Sequence, residues 1–150
     1  VSGVLVRLAR VTERAELEAL QWRASLGNAG DRDALLAHPD AIHIPDDQLA
    51  AGRVFAAEVD GTVAGFAAIE RRADGDCELD ALFVDPRLQR RGIGRALVDH
   101  CASQGRALGA STLCVVGNPH AERFYLECGF ITAGTTATRF GPGLLMRRTL

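Results

Sequence analysis

The sequence predicts an α/β fold: a single domain, residues 1–150, with a mixed, mostly antiparallel central sheet of roughly six to seven strands flanked by about four helices. Three observations predict it. Apolar residues alternate with a period of two in three consecutive runs separated by short turn signals, the pattern of an antiparallel meander. Helical patterns lie before and after those runs, with a short apolar strand between the last two. Finally, the chain has 150 residues, 47% hydrophobic and 24% charged. A chain of that length buries roughly 70% of its unfolded surface, enough for one core without metals or disulfides.

The elements follow in order. Val4 to Ala9 (VLVRLA) alternates apolar residues with Arg7 and reads as a strand. Thr12 precedes a helical stretch, ERAELEALQWRASLG, with Glu13 and Glu16 suited to its first turn and Leu17, Leu20 and Leu26 on its apolar stripe. Gly27 stops it. DRDALLAHP is a second short helix broken by Pro39, and AIHIPDDQLAAG a loop with a further helical turn. The period then changes. RVFAAEV (Arg53 to Val59) and VAGFAAIE (Val63 to Glu70) form a hairpin, because Asp60-Gly61 supplies the positive φ of a tight turn. Cys77 to Val84 is the third strand, ended by Asp85-Pro86. A helix runs from about Gly92 to Leu108 with Ile93, Leu97 and Cys101 on one face. Thr112 to Val116 is a short buried strand. Pro119 to Cys128 is a helix with Pro in its first turn and Gly129 just beyond its end. The tail reads as two strands around Gly141-Pro142-Gly143.

Composition excludes several classes of function. The net charge of −2 provides no global basic field to attract nucleic acid or anionic lipid. No apolar run approaches the ~20 residues of a membrane span, and VSGVLVRLARVTER breaks into charge too early for a signal peptide. Cys77, Cys101, Cys114 and Cys128 are widely spaced and form no CxxC pair, so no zinc or redox motif is supported. Free thiols in a reducing cytoplasm are expected. No histidine pairing has metal-ligand spacing. All 17 basic residues are arginine, so any activity towards lysine acts on another molecule.

The segment QRRGIG, Gln89 to Gly94, lies between an apolar strand and an amphipathic helix. Amides at a helix N-terminus lack intrahelical partners and carry the positive end of the helix dipole, so they suit a phosphate or pyrophosphate. Glycines 92 and 94 remove Cβ atoms from the approach, and Arg90, Arg91 and Arg95 add positive charge. Spacing alone fits an ordinary helix start equally well. A P-loop is excluded because the chain has no lysine, and a dinucleotide fingerprint because Leu97 stands where the third glycine belongs.

Gln89-Arg90-Arg91-Gly92-Ile93-Gly94 resembles the acetyl-CoA motif of the Gcn5-related N-acetyltransferases (GNAT): Gln or Arg, two residues, Gly, one residue, Gly or Ala. LFVDPRLQRRGIGRALVDH resembles that family's fourth strand, connector and third helix. NPHAERFYLECGF resembles its next segment, with Asn118, Ala121, Phe124-Tyr125 and Gly129-Phe130 in register. The likeness spans roughly residues 4 to 150 and is weakest over 27–52. It implies an acetyl-CoA-dependent N-acetyltransferase without a metal, with acetyl-CoA and an amine as its partners. It places the pyrophosphate on Gln89 to Arg95, including Ile93, and the pantetheine arm along the backbone of Leu82, Phe83 and Val84, with Asn118 contacting the CoA arm. Asn118 reads equally well as a helix N-cap before Pro119.

Transfer to an amine needs two proton movements. An alkylammonium of pKa about 10.4 must lose a proton, and a departing thiolate of pKa about 8.5 gains from receiving one. Tyr125, the only tyrosine, occupies the family's general-acid position. Glu78, at the start of the fourth strand, matches a strand-borne base of the family. Asp80 and a water chain are the alternatives, with a bulge in that strand able to alter the alternation. His43 lies in the region where the family builds its acceptor pocket, and His120 near the CoA side. The same resemblance leaves an idle CoA-binding or ligand-sensing module, or O-acyl transfer, as competing functions. Asp31, Asp33, Asp40, Asp46 and Asp47 make the expected acceptor wall acidic, which suits either a cationic acceptor or a solvated face. The terminal strands and the sheet edge offer a homodimer interface.

Overall fold

The computed structural model describes residues 3–27, 31–139 and 141–150. Positions 28–30 and 140 of the expected acceptor walls lie outside these. The elements are β1 (Val4–Leu8), α1 (Arg14–Leu26), α2 (Asp31–Ala37), α3 (Asp46–Ala50), β2 (Val54–Val59), β3 (Thr62–Arg71), β4 (Cys77–Val84), α4 (Ile93–Ala107), β5 (Thr112–Gly117), α5 (Glu122–Glu127), β6 (Ile131–Thr138) and β7 (Gly141–Thr149). They form one seven-stranded sheet in the order β1-β2-β3-β4-β5-β7-β6. Every neighbouring pair is antiparallel except β4–β5. No helix among the described residues is long and apolar enough to cross a membrane.

Local chemistry explains most elements. Asp60 and Gly61 both take positive φ, 53° and 78°, as the β2–β3 turn requires. α1 buries Leu17, Leu20 and Ala24; Leu26, expected on that stripe, is only half-buried. A 3₁₀ turn, Val11–Glu13, leads into α1. There the Glu13 carboxylate accepts the Arg10 amide at 2.7 Å and two guanidinium nitrogens of Arg7 at 2.8 and 2.9 Å. Glu13, expected in the first turn, therefore anchors this helix start. The stretch read as a loop with one helical turn contains α3. Gly141, Pro142 and Gly143 pair with β6 inside β7, where a turn was expected. A Cβ on Gly143 would stand 2.7 Å from Val116 Cγ1 and 2.9 Å from Thr138 Cγ2. That glycine therefore serves packing.

Two cores sandwich the sheet. One joins α4 and α5 to the sheet through Phe55, Ile69, Leu79, Leu97, Leu113 and Met146. The other joins α1 and α3 to β2 and β3 through Leu17, Leu20, Leu49, Val54 and Phe66. α4 lies so close to β3 that a Cβ on Gly65 would meet Leu97 Cδ1 at 3.2 Å and Ile93 Cγ2 at 3.3 Å.

The feature that creates a site is a failure of pairing. β4 and β5 register only through Cys77–Leu113 and Glu78–Cys114. Beyond these, β4 stays with β3 as far as Val84–Gly65 and β5 stays with β7 as far as Gly117–Leu144. The two parallel strands thus splay into a wedge. A bulge marks where they part: Ile69 pairs with Leu79 but Ala68 with Ala81, leaving Asp80 as the extra residue.

Candidate active site

Two cavities open along the wedge. The first, about 660 Å³, is walled by Leu82, Phe83 and Val84 of β4, by Leu88 to Arg90 and Gly92 to Arg95 of the loop and α4, and by Ala121, Phe124, Tyr125 and Glu127 around α5. The second, about 490 Å³, is walled by Gln21 and Ser25 of α1, Asp31 and Leu35 of α2, Val116 to Pro119 after the splay, and Thr138, Pro142 and Gly143 of the terminal hairpin. Phe83 and His120 line both, so the cavities meet there.

The QRRGIG turn runs directly into the N-terminus of α4. Gly92, at φ 77°, is the N-cap of α4, and Arg90 also takes a left-handed conformation at φ 65°. Side chains other than glycine adopt that region at a cost of about 1–2 kcal/mol. The first intrahelical bond is Ala96 N–H to Gly92 O, which leaves the preceding amides directed out of the helix end. Gly94 has a reason the sequence did not disclose. A Cβ there would stand 3.0 and 3.2 Å from ring atoms of Phe124, so this glycine lets α5 close against α4.

Tyr125 lines the first cavity and is 8% exposed. Its ring packs edge-on against Phe124 and Phe130, with centroids 5.2 and 5.4 Å away. It also lies on Gly117, where a Cβ would stand 3.0 Å from the ring. The phenolic oxygen has no hydrogen-bond partner among the described residues. Burial, and secondarily Cys128, pushes its pKa up to about 12, so it is protonated at neutral pH.

The wedge thus gathers Leu82, Phe83, Val84, Gln89, Arg90, Gly92, Ile93, Gly94, Arg95 and Tyr125 around one cavity. Arg91 is exposed beside it. Asn118 lines the second cavity. There its Oδ1 accepts the His120 amide at 2.9 Å, making it a cap, while its Nδ2 donates to both Asp31 carboxylate oxygens at 3.2 and 3.3 Å. Glu78 lines neither cavity; it sits where β4 and β5 are still paired. Asp80, the bulge residue, accepts a bond from buried Gln48 at 3.2 Å. His43 also lies outside both cavities, 3.6 Å from Glu18.

Sequence reading missed Asp85, noted only as a strand end. It is 1% exposed and accepts bonds from the Arg87 amide and guanidinium and from Arg23 of α1. Those bonds, the Arg87 side chain foremost, hold its carboxyl far below the usual range despite burial. It ties α1 to the mouth of the wedge, and the DP pair was the available clue. Burial raises the thiol pKa of all four cysteines, that of Cys101 to about 12, which disfavours a thiolate nucleophile. No group of three or more metal-ligating side chains is placed to hold an ion among the described residues.

The sheet opens between two parallel strands, and the start of α4 and the buried Tyr125 line the cavity formed there. Residues 15–130 match the model of the acetyltransferase (GNAT) family, and the chain belongs to that family. Solved structures share the fold. One is a GCN5-related N-acetyltransferase from Rhodopseudomonas palustris, with a TM-score of 0.82 at 20% identity over 99% of this chain and 97% of that one. Another is yncA, a putative acetyltransferase from Salmonella typhimurium bound to acetyl-CoA: TM-score 0.72, 22% identity, covering 99% and 95%. A third is the ribosomal-protein-alanine N-acetyltransferase from Brucella melitensis: TM-score 0.73, 21% identity, covering 97% and 99%. No curated protein matches.

Proposed function

We propose that this protein binds acetyl-CoA in the first cavity and transfers its acetyl group to a primary amine of a small molecule or peptide entering through the second. The observation that carries the reading is Tyr125: a protonated phenol, buried and lining the first cavity, with no hydrogen-bond partner among the described residues. With no protein partner and a place on the cavity wall, that hydroxyl is available to a ligand atom. The helix-end amides from Gly92 to Arg95, with Arg90 and Arg91, take the pyrophosphate. The free edge of β4 at Leu82 to Val84 pairs with the pantetheine amides, since that edge has no β5 partner beyond Glu78.

The chemistry balances within this geometry. The ammonium loses one proton, and the amine nitrogen forms a bond to the thioester carbonyl carbon. The C–S bond then breaks, Tyr125 protonates the departing sulfur, and the proton shed by the new amide nitrogen restores the phenol. Glu78 reaches the acceptor nitrogen only through water, because it lines neither cavity; a water chain therefore carries the first proton. Thiol release from acetyl-CoA against a panel of amines and amino-terminal peptides tests the reading. Release that depends on the acceptor supports it. Tight CoA binding without turnover across the panel favours the idle CoA-binding module.

A further inference from the structure

We propose that the second cavity selects a small amine that carries a further cationic group and no carboxylate, and that Asp31 is the residue that recognises that second charge. The inference rests on the acetyl-transfer reading and deepens it.

The sequence offers five aspartates in the 31–47 stretch, and the structure separates them. Asp46 pairs with Arg14 at 2.7 Å, and Asp40 with Arg139 at 3.5 Å. Of the five, Asp31 alone is among the described residues lining the cavity, and it has no ion-pair partner among them. Among the described residues its hydrogen-bond partner is the Asn118 side-chain amide, which spans both carboxylate oxygens. The His120 amide fixes the orientation of Asn118 by donating to its Oδ1, so its nitrogen must face Asp31. A carboxylate has about four acceptor positions, and one shared donor leaves most of them for a ligand.

The remaining walls sharpen the class. Beside Asp31 the cavity presents neutral polar groups, Gln21, Ser25 and Thr138, and apolar ones, Leu35 and Phe83. No arginine is among the described lining residues, and His120, the other titratable side chain among them, stands at the junction with the first cavity, so a substrate carboxylate seated beside Asp31 would be desolvated next to a like charge without a permanent counter-charge. A volume of about 490 Å³ holds a small molecule. An amine that reaches the junction at Phe83 and His120 while a second ammonium contacts Asp31 satisfies every wall.

Three four-carbon acceptors test this: 1,4-diaminobutane, 1-aminobutane and 4-aminobutanoic acid, each with acetyl-CoA, on wild type and Asp31→Asn. The substitution preserves shape and an acceptor for Asn118 while removing the charge. Wild type is expected to favour the diamine over the monoamine by at least tenfold in kcat/KM, with the amino acid slowest. In D31N that advantage falls at least tenfold, while CoA affinity, read separately, stays at the wild-type value. Equal rates for diamine and monoamine, or an undiminished diamine advantage in D31N, overturn the inference and leave acetyl transfer standing. CoA binding with no acetylation of any amine overturns the transfer reading itself, and this inference with it.

Discussion

Gly65→Ala tests the seating of α4, on which the position of the anion turn depends. The new Cβ would stand 2.8 Å from the Phe83 carbonyl oxygen, 3.2 Å from Leu97 Cδ1 and 3.3 Å from Ile93 Cγ2. Carbon–oxygen contacts ordinarily fall at about 3.3–3.6 Å, so roughly half an ångström must be found. A backbone oxygen inside a paired strand cannot swing aside, so α4 must rise or β4 must shift. Overpacking of this kind costs about 1–3 kcal/mol. Replacing glycine in a strand returns about 0.5–1 kcal/mol, and the net expectation is a loss of about 1–2 kcal/mol. For 150 residues the unfolding entropy is about 0.3 kcal/mol/K, so Tm should fall by roughly 3–7 °C. Because Phe83 walls both cavities, CoA affinity should fall several-fold as well. Thermal melts followed by calorimetric CoA titration make the measurement. A variant as stable as wild type, with unchanged affinity, would refute the close seating of α4.

Two further predictions concern packing and charge. Gly94→Ala places a methyl 3.0 Å from the Phe124 ring; because Phe124 is half-buried, the ring turns into the first cavity and CoA binding weakens several-fold, with stability within about 1 kcal/mol. Adding Phe124→Leu should restore affinity, and a double variant as weak as the single would mean that Gly94 acts on the phosphate and not on the ring. Glu13 is held at about 2 against an ordinary 4.5, chiefly by its bonds to Arg7. A depressed carboxylate stabilises the fold above its unfolded pKa and loses that contribution as pH falls from about 4.5 through 2. The shift corresponds to at most about 3 kcal/mol. Urea melts should therefore show Glu13→Gln well below wild type at pH 7, with the gap narrowing by pH 3; a constant gap would contradict the linkage.

The fold class, the antiparallel meander and the glycine turn before α4 were legible because they rest on local patterns: alternation in β2 to β4, the Asp-Gly turn, and a glycine N-cap at the start of an amphipathic helix. What escaped the sequence depends on distant partners. Leu26 and Ala24 are both apolar, and only docking on the sheet decides that Ala24 is buried. Gly94 and Gly143 looked like turn residues, yet each makes room for a side chain from another element, Phe124 in one case and Val116 with Thr138 in the other. The splay of β4 from β5 has no sequence signature, because it consists of bonds not formed. The position of Glu78 is the clearest example. Alternation put Glu78 and Asp80 on one face, but only the extent of β4–β5 pairing shows that Glu78 lies short of the cavity. Asp31 and Asn118 are separated by 87 positions, and no motif could have joined them.

The central claim is that Tyr125 protonates the thiolate of CoA. Tyr125→Phe removes one oxygen that has no hydrogen-bond partner among the described residues, so Tm and CoA affinity should stay close to wild type. The turnover rate in thiol release should fall by about 10²–10⁴-fold. For wild type, activity should show no loss from phenol ionisation until pH approaches 12. A Tyr125→Phe enzyme that binds CoA normally and turns over at the wild-type rate would contradict the account.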